Sequence, residues 1–560
     1  MSLVDDLRAS ASELRETHIS WVFLFDDRVL KVKKPVNFGF LDFTTLEQRL
    51  SACRAEVDLN SRLAPRVYLG VVPVLRSPKG QHRFGKHPFE ASSAHPAQLA
   101  QYALDTPGDQ VVDFAVQMQR LADADRADVL LADGKLEVAR LVQLAACLAR
   151  FHASAASGAG IDAFGSVESI SRNVAENFAQ AHDALAAIAS DAEQQAVEAA
   201  QLAFLGANAH LFQRRITGRH IRDGHGDLRL EHVYFRGGGL PPTILDCIEF
   251  NERFRFGDVC SDVAFLSMDL AWHGHVDDKE RFLAAYARES DDYDLYALVD
   301  FYESYRAYVR AKVNAIGYST PGIGTTVQKR LEQEARRYFL LALASERPPL
   351  TAPRLIAVGG IIASGKSTLA DALGQELAVP VINSDRVRKS LLGVSPTTQI
   401  GVEPWQGAYS EARTEQVYAE VWRRVSVVLG SGRSVVVDAS FRSRALRQQA
   451  RELARALGVG FAFLECRVRH EVSRQRLEAR AKGPSISDGR RELLDDFVAQ
   501  YEPVVELDEG THAVLDTSGS IESSVAAALG LVRTLARART GAGHGGVEGG
   551  GGSPEGRGPG

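Results

Sequence analysis

A chain of 560 residues exceeds what one hydrophobic core supports and predicts about two to four domains. Its 45% apolar and 24% charged residues are those of an ordinary globular protein, which excludes a fibrous or wholly disordered chain. A formal net charge of −6 argues against a general nucleic-acid or anionic-membrane binder and leaves room only for a local basic groove.

The pattern opens with a hairpin over residues 18–34, in which Ile19–Phe25 and Val29–Lys33 are strands and Asp26-Asp27 makes the turn. Leu46–Leu63 has helical spacing, with Leu50, Cys53, Val57 and Leu63 on one face. Val67–Leu75 and Val111–Met118 read as strands. Residues 136–155 form a helix, 172–213 a long Ala-rich helical stretch, and helices return from 280 to 346. A small strand-rich lobe followed by a larger helical lobe thus occupies 1–345. The Pro-rich run 346–353 is a stiff linker. From Leu355 the order becomes strand, glycine loop, helix, strand, helix, which predicts an α/β domain with a parallel sheet over 354–537. The Gly-rich tail 538–560 cannot bury apolar area and is expected to be disordered.

Gly360-Ile361-Ile362-Ala363-Ser364-Gly365-Lys366-Ser367-Thr368 lies between the strand Leu355–Val358 and a helix Thr368–Leu377. Glycines there let backbone N–H groups curl round an anion, and the helix N-terminus adds partial positive charge. In such a P-loop the nucleotide is ATP, Lys366 reaches its β/γ-phosphates and Ser367 ligates Mg²⁺. A second strand, Val379–Ile382, runs into Asn383-Ser384-Asp385-Arg386-Val387-Arg388. Strand C-termini line the ligand crevice of a parallel sheet, so Asp385 is placed to take a proton from an attacking hydroxyl and Arg388 to steady the phosphoryl group. The alternative for Asp385 is a helix cap. Asp438 ends the strand Val435–Asp438 and suits a water-mediated hold on Mg²⁺, with a cap again the alternative. Arg476 and Arg480, four apart before Gly483-Pro484, suit a lid that closes over phosphates. Arg490 and Arg491 read as solvated charges.

The run Ile382–Leu391 resembles the acceptor segment of phage-type polynucleotide kinase and, more broadly, the small-substrate and zeta-toxin-like P-loop kinases. That resemblance implies that Asp385 activates the acceptor hydroxyl and that Arg388 contacts substrate phosphate.

Upstream, His225-Gly226-Asp227-Leu228-Arg229-Leu230-Glu231-His232 precedes the strand Val233–Phe235 and the run Pro241–Asp246. This pattern resembles the aminoglycoside-phosphotransferase family, which implies a bilobal α+β protein-kinase-like fold over 1–345. It also implies Asp227 as the base for the acceptor hydroxyl, with His232 and Asp246 at the Mg²⁺ positions. Asp262 then braces the catalytic loop. The small lobe should supply a lysine for the α/β-phosphates and a glutamate to hold it. Lys31 with Glu56 has the order and spacing, Lys33 is the alternative, and Val116–Leu121 is expected to form a hinge against adenine. Two departures stand out: no glycine-rich hairpin precedes Lys31, and His232 replaces the usual Asn although imidazole suits Mg²⁺ poorly. Arg306 and Arg310 share a helix face that reads as solvated.

Five cysteines without a CxxC pair argue against a disulfide framework or zinc cage and fit a reducing cytoplasm. No signal-peptide pattern and no run of about 18 apolar residues is present, so no membrane partner is expected. The tandem resembles bacterial bifunctional proteins that join an aminoglycoside-phosphotransferase-like domain to a predicted P-loop kinase of the AAA class. The expectation is an ATP- and Mg²⁺-dependent phosphotransferase with a small hydroxyl-bearing acceptor. The alternative is one active P-loop kinase, with polynucleotide 5′-hydroxyls among its candidate acceptors and a nucleotide-binding regulatory front domain.

Overall fold

Alternating apolar positions draw the first strands into an antiparallel sheet. In the computed structural model, which describes residues 2–37, 39, 41–88, 108–319, 324–345, 352–400, 406–480 and 486–540, the chain divides into two compact units, Met1–Pro348 and Pro349–Gly560. The first unit opens with β1 (Glu13–Glu16), β2 (Ser20–Leu24), β3 (Arg28–Lys33), β4 (Tyr68–Arg76), β5 (His82–Phe84) and β6 (Gln110–Gln119). They form one antiparallel sheet in the order β1-β2-β3-β6-β4-β5. Sequence periodicity misses β1 and β5, which lie at the two edges and carry little apolar alternation.

Helix Leu46–Asn60 starts at Thr45, whose side chain and that of Gln48 cap each other's backbone N–H groups. Its Leu50, Cys53 and Val57 pack with Val71, Phe114 and Val116 of the sheet. The same helix buries Glu56 against β3, which sets the geometry of the site below. The expected hinge is corrected: residues 116–119 still pair within β6, so only Arg120 and Leu121 leave the sheet.

The remainder of this unit is mainly helical. The long stretch expected over 172–213 is three helices, Val167–Leu185, Asp191–Ala207 and Ala209–Thr217. The breaks fall where Ser190 caps the second helix with its side chain and where Asn208 leaves helical geometry. Short pairs β7 (Ile221–Asp223) with β10 (Phe256–Asp258), and β8 (Val233–Tyr234) with β9 (Thr243–Ile244), frame the His225–Asp246 segment. The last helices are Val259–Trp272, Val276–Ser290, Val299–Tyr318 and Thr325–Ser345.

The second unit is a five-stranded parallel sheet of β11 (Arg354–Gly359), β12 (Val381–Asn383), β13 (Val435–Asp438), β14 (Gly460–Arg467) and β15 (His512–Asp516), in the order β12-β13-β11-β14-β15. Its core joins Ile356, Val358, Leu369, Leu373, Val436, Leu464, Leu515 and Val532. The first helix begins at Lys366 rather than Thr368. Helix Ile521–Thr540 extends past residue 537, the boundary that composition suggested for the tail. The linker residues 346–351, the Gly483-Pro484 pair and the tail from 541 lie outside the described residues. All five cysteines are free thiols, and among the described residues no helix is long and apolar enough to cross a membrane.

Candidate functional site

In the second unit β11 delivers the chain into a loop that only special backbone geometry can make. Gly360 has φ 142°, Gly365 has φ 88° and Ala363 has φ 57°. A Cβ on Gly360 would stand 2.6 Å from the Cys466 carbonyl oxygen, so the glycine is required for both its dihedral and the close approach of β14. The loop is pinned from below. Thr517 Oγ1 donates to the Ser364 carbonyl at 2.5 Å, and Gly360 N donates to the Ser440 carbonyl at 3.1 Å. The loop then runs straight into the N-terminus of helix Lys366–Leu377, which is the arrangement that binds phosphate.

The parallel register brings two acids to the same end of the sheet, since Asn383 on β12 stands beside Asp438 on β13, and Asp438 beside Val358 on β11. Neither acid caps a helix. Asn383 caps helix Ser384–Leu391, accepting Arg386 N at 2.9 Å, and Ser443 caps the helix after β13. Asp385 is therefore left to line a cavity with Lys366 and Arg388. Asp438 is 2% exposed, accepts a hydrogen bond from Asn383 Nδ2, and has its Oδ1 buried without a hydrogen-bond partner. Burial raises its pKa, opposed by Lys366 and by the Ser367 hydroxyl beside it. A hydroxyl and a carboxylate with an orphaned oxygen are hard donors, and they fit Mg²⁺.

The two expected lid arginines differ. Arg476 braces the loop, with Nη2 donating to the Thr517 carbonyl at 2.5 Å and Nη1 to the Ala363 carbonyl at 3.4 Å. Arg480 is half-buried one turn on; burial lowers its pKa, while the charges of Asp385 and Asp438 oppose that.

The cavity next to Asp385 also holds residues that the sequence did not single out: Tyr409, Tyr418, Arg442, Asp488 and Arg490. Arg490 had read as a plain solvated charge. No local motif marks these side chains, because they come from four separate stretches of chain that only the fold assembles.

In the first unit β3 and the helix Leu46–Asn60 join Lys31 to Glu56 at 2.9 Å. Lys31 also reaches Asp246 Oδ1 at 2.8 Å. Lys33 takes the other Glu56 oxygen at 2.5 Å and pairs with Glu249. Between the alternatives, Lys31 retains 15% side-chain exposure and Lys33 none, so Lys31 is the one that faces an opening. Burial works against the charge on Lys31, yet Asp246 and Glu56 hold its pKa well above the usual value.

Asp262 accepts the backbone N–H groups of His225 at 2.6 Å and Gly226 at 2.8 Å, and so braces this loop. Asp227 is bound by Arg229. His232 Nδ1 lies 2.8 Å from the Asp227 carbonyl oxygen, and its Nε2 lies 4.0 Å from Asp246 Oδ2 and 3.4 Å from Arg229 Nη2. A ring with one nitrogen on a carbonyl and the other against a guanidinium is a poor Mg²⁺ donor, so the residues fit a metal here less well than Ser367 and Asp438 do. The expectation of a solvated basic face is corrected for Arg306. It is 9% exposed, donates from Nε to Ser261 Oγ at 3.1 Å and stacks over Phe265, because helix Val299–Tyr318 is enclosed by its neighbours.

Residues 355–504 match the family model described as AAA domain. Among solved structures, the second unit is similar to a sugar kinase from Janibacter sp. HTCC2649 (19% identity, 33% of this chain and 96% of that one, TM-score 0.27). It is also similar to a gluconokinase from Sinorhizobium meliloti 1021 (21% identity, 34% and 98%, TM-score 0.26). The whole chain is similar to the uncharacterized protein Rv2004c of Mycobacterium tuberculosis H37Rv and to the uncharacterized protein Mb2027c of Mycobacterium bovis. Each is 34% identical over 524 residues, covering 93% of this chain and 95% of the relative. With a P-loop unit at its C-terminal end and that extent of likeness along its length, the chain belongs to the family of the mycobacterial protein Rv2004c.

Proposed function

We propose that the protein is an ATP- and Mg²⁺-dependent phosphotransferase that moves the γ-phosphoryl group to a hydroxyl of a small molecule, with the P-loop unit as catalyst. The observation that carries this reading is the single cavity lined by Lys366 of the phosphate loop and by Asp385 and Arg388 of the neighbouring strand end. In this reading the loop Gly360–Thr368 cradles the triphosphate and Lys366 neutralises its outer phosphates. Ser367 and Asp438 would hold Mg²⁺, and a bound cation would supply positive charge to the phosphate oxygens. Asp385 takes the proton of the acceptor hydroxyl, whose oxygen forms the new bond to the γ-phosphorus as the bond to the β–γ bridging oxygen breaks. Arg388 and Arg480 offset charge on the transferring group.

The first unit is read as a second, kinase-like nucleotide site of the aminoglycoside-phosphotransferase type. The ion pair Lys31–Glu56, the contact of Lys31 with Asp246 and the Asp262 brace under His225-Gly226 support it. One observation favours a regulatory rather than catalytic role for this unit: the Asp227 carboxylate is already bound by Arg229 through both oxygens. The test is γ-phosphoryl transfer from ATP to a panel of sugars, amino-sugars and nucleosides. The Asp385→Asn variant is expected to lose the activity, and undiminished transfer in both Asp385→Asn and Asp227→Asn removes the assignment of the bases.

A further inference from the structure

We propose that the first unit carries a binding site for a small oxyanion, a carboxylate or phosphate group, at Arg306. The site is separate from the residues assigned to nucleotide in either unit and does not depend on the phosphotransferase reading.

Helix Val299–Tyr318 packs against helices Val167–Leu185 and Val259–Trp272. Where these three helices meet residues 253–259 they leave a cavity of about 50 Å³, lined by Arg306. That is room for about four water-sized groups, the scale of a carboxylate or phosphate group. None of Lys31, Glu56, Asp227, His232 or Asp246 lines it.

Charge is unevenly met around this cavity. Its two carboxylates are engaged elsewhere. Asp258 takes both prongs of Arg215, at 2.8 and 2.7 Å, and Asp262 accepts the His225 and Gly226 N–H groups. Of its three guanidiniums, Arg253 pairs with Glu176 and Arg255 with Asp223. Arg306 is 9% exposed and pairs with no carboxylate among the described residues. Its one hydrogen bond among them runs from Nε to Ser261 Oγ at 3.1 Å. The Phe265 and Tyr305 rings lie 4.8 and 5.8 Å from the guanidinium carbon. They soften the charge and fix its plane, but they offer no oxygen to the Nη groups. A buried charge without a counter-charge is costly, and both Nη groups are donors without an acceptor.

Other donors surround the same space. Ser261 accepts from Arg306, so its own proton is available to a ligand. Tyr302 and Tyr305 also line the cavity, and burial holds both phenols above their usual pKa, so each keeps its proton. A planar guanidinium fork with hydroxyls beside it suits the paired oxygens of a carboxylate or phosphate.

The test uses the full chain saturated with a non-hydrolysable ATP analogue, which fills the phosphate loop and any nucleotide site of the first unit. Calorimetric titration follows with acetate, inorganic phosphate and neutral acetamide, in about 0.1 M sodium chloride to screen surface charge. One of the anions is expected to bind with a Kd of about 1 mM or below, at least about tenfold tighter than acetamide. Whichever of acetate and phosphate binds tighter names the group. Arg306→Gln should erase the preference. Arg306→Lys should keep part of it, because the charge stays and the fork is lost, and Tyr305→Phe should weaken it by about threefold or more. Thermal melts check that each variant folds, and if Arg306→Gln does not, the other two decide. Anions that bind no tighter than acetamide overturn the proposal, as does a preference unchanged in every folded variant.

Discussion

Arg229 grips the carboxylate of Asp227 two residues upstream through two bonds, Nε to Oδ1 at 3.0 Å and Nη2 to Oδ2 at 3.0 Å. Burial alone would raise the Asp227 pKa, but Arg229 and His232 outweigh it and hold the group far below the usual carboxylate range. A carboxylate so stabilised accepts a proton poorly. Asp385 lines its cavity with Lys366 and Arg388, and among the described residues no arginine forks its carboxylate in that way.

Asp385→Asn is expected to lower kcat for γ-phosphoryl transfer by about 10²–10⁴-fold while nucleotide affinity stays within about twofold. Asp227→Asn should leave kcat nearly unchanged. Steady-state ADP release, with nucleotide titration of each variant, reads both.

Gly360 is expected to tolerate no side chain. Gly360→Ala must either keep φ near 142° or push its Cβ off the Cys466 carbonyl, and in both cases the loop shifts. A cost of about 1–3 kcal/mol in stability is expected. Adenine-nucleotide affinity should fall with it, as read by thermal melts with and without nucleotide.

The two neighbouring lysines of β3 should separate cleanly. Lys33 has no side-chain exposure and sits between Glu56 and Glu249, so Lys33→Met leaves Glu56 to Lys31 but strands the buried Glu249, and is expected to cost about 3–5 kcal/mol. Lys31→Met leaves Lys33 to hold Glu56, so its stability loss should be smaller, while nucleotide binding by the first unit is lost. Denaturant melts and titration of a fluorescent ATP analogue distinguish the two.

His225 sets an acid limit on the first unit. Burial pushes its pKa down from 6.5 to about 4, outweighing the Asp262 charge and the Leu245 carbonyl at Nε2, which act the other way. Between pH 6.5 and 4 the unfolded chain binds a proton that the folded chain refuses. Stability from this group is therefore complete above pH 6.5 and falls as the pH drops toward 4, by roughly 3 kcal/mol in all. Melting temperatures across that range should show the loss, and His225→Gln should flatten the part of the slope that this residue contributes.

Much of the P-loop side was legible from sequence, for a local reason. The phosphate loop is one contiguous run whose glycines are needed by its own backbone, and β13 ends in Asp438 as its apolar run predicts. Helix lengths were less legible: the Ala-rich run 172–213 is made mostly of helix-forming residues, and only the caps at Ser190 and Asn208 break it. The choice between Lys31 and Lys33 was not readable, since two positions on one strand face differ only in what covers them.

What the linear sequence determined by itself is the chemistry that neighbouring residues can make together: the phosphate loop, the Asp385–Arg388 pair, and the order of Lys31, Glu56, Asp227 and Asp246. Only the tertiary structure decided which of these groups remain available. Arg229 occupies Asp227, Asn383 relieves Asp385 of capping, and Arg442 and Arg490 arrive from distant segments to line one cavity. The reason is that a charged group's reactivity depends on its solvation and on the charges within a few ångströms, and folding, not chain order, sets both.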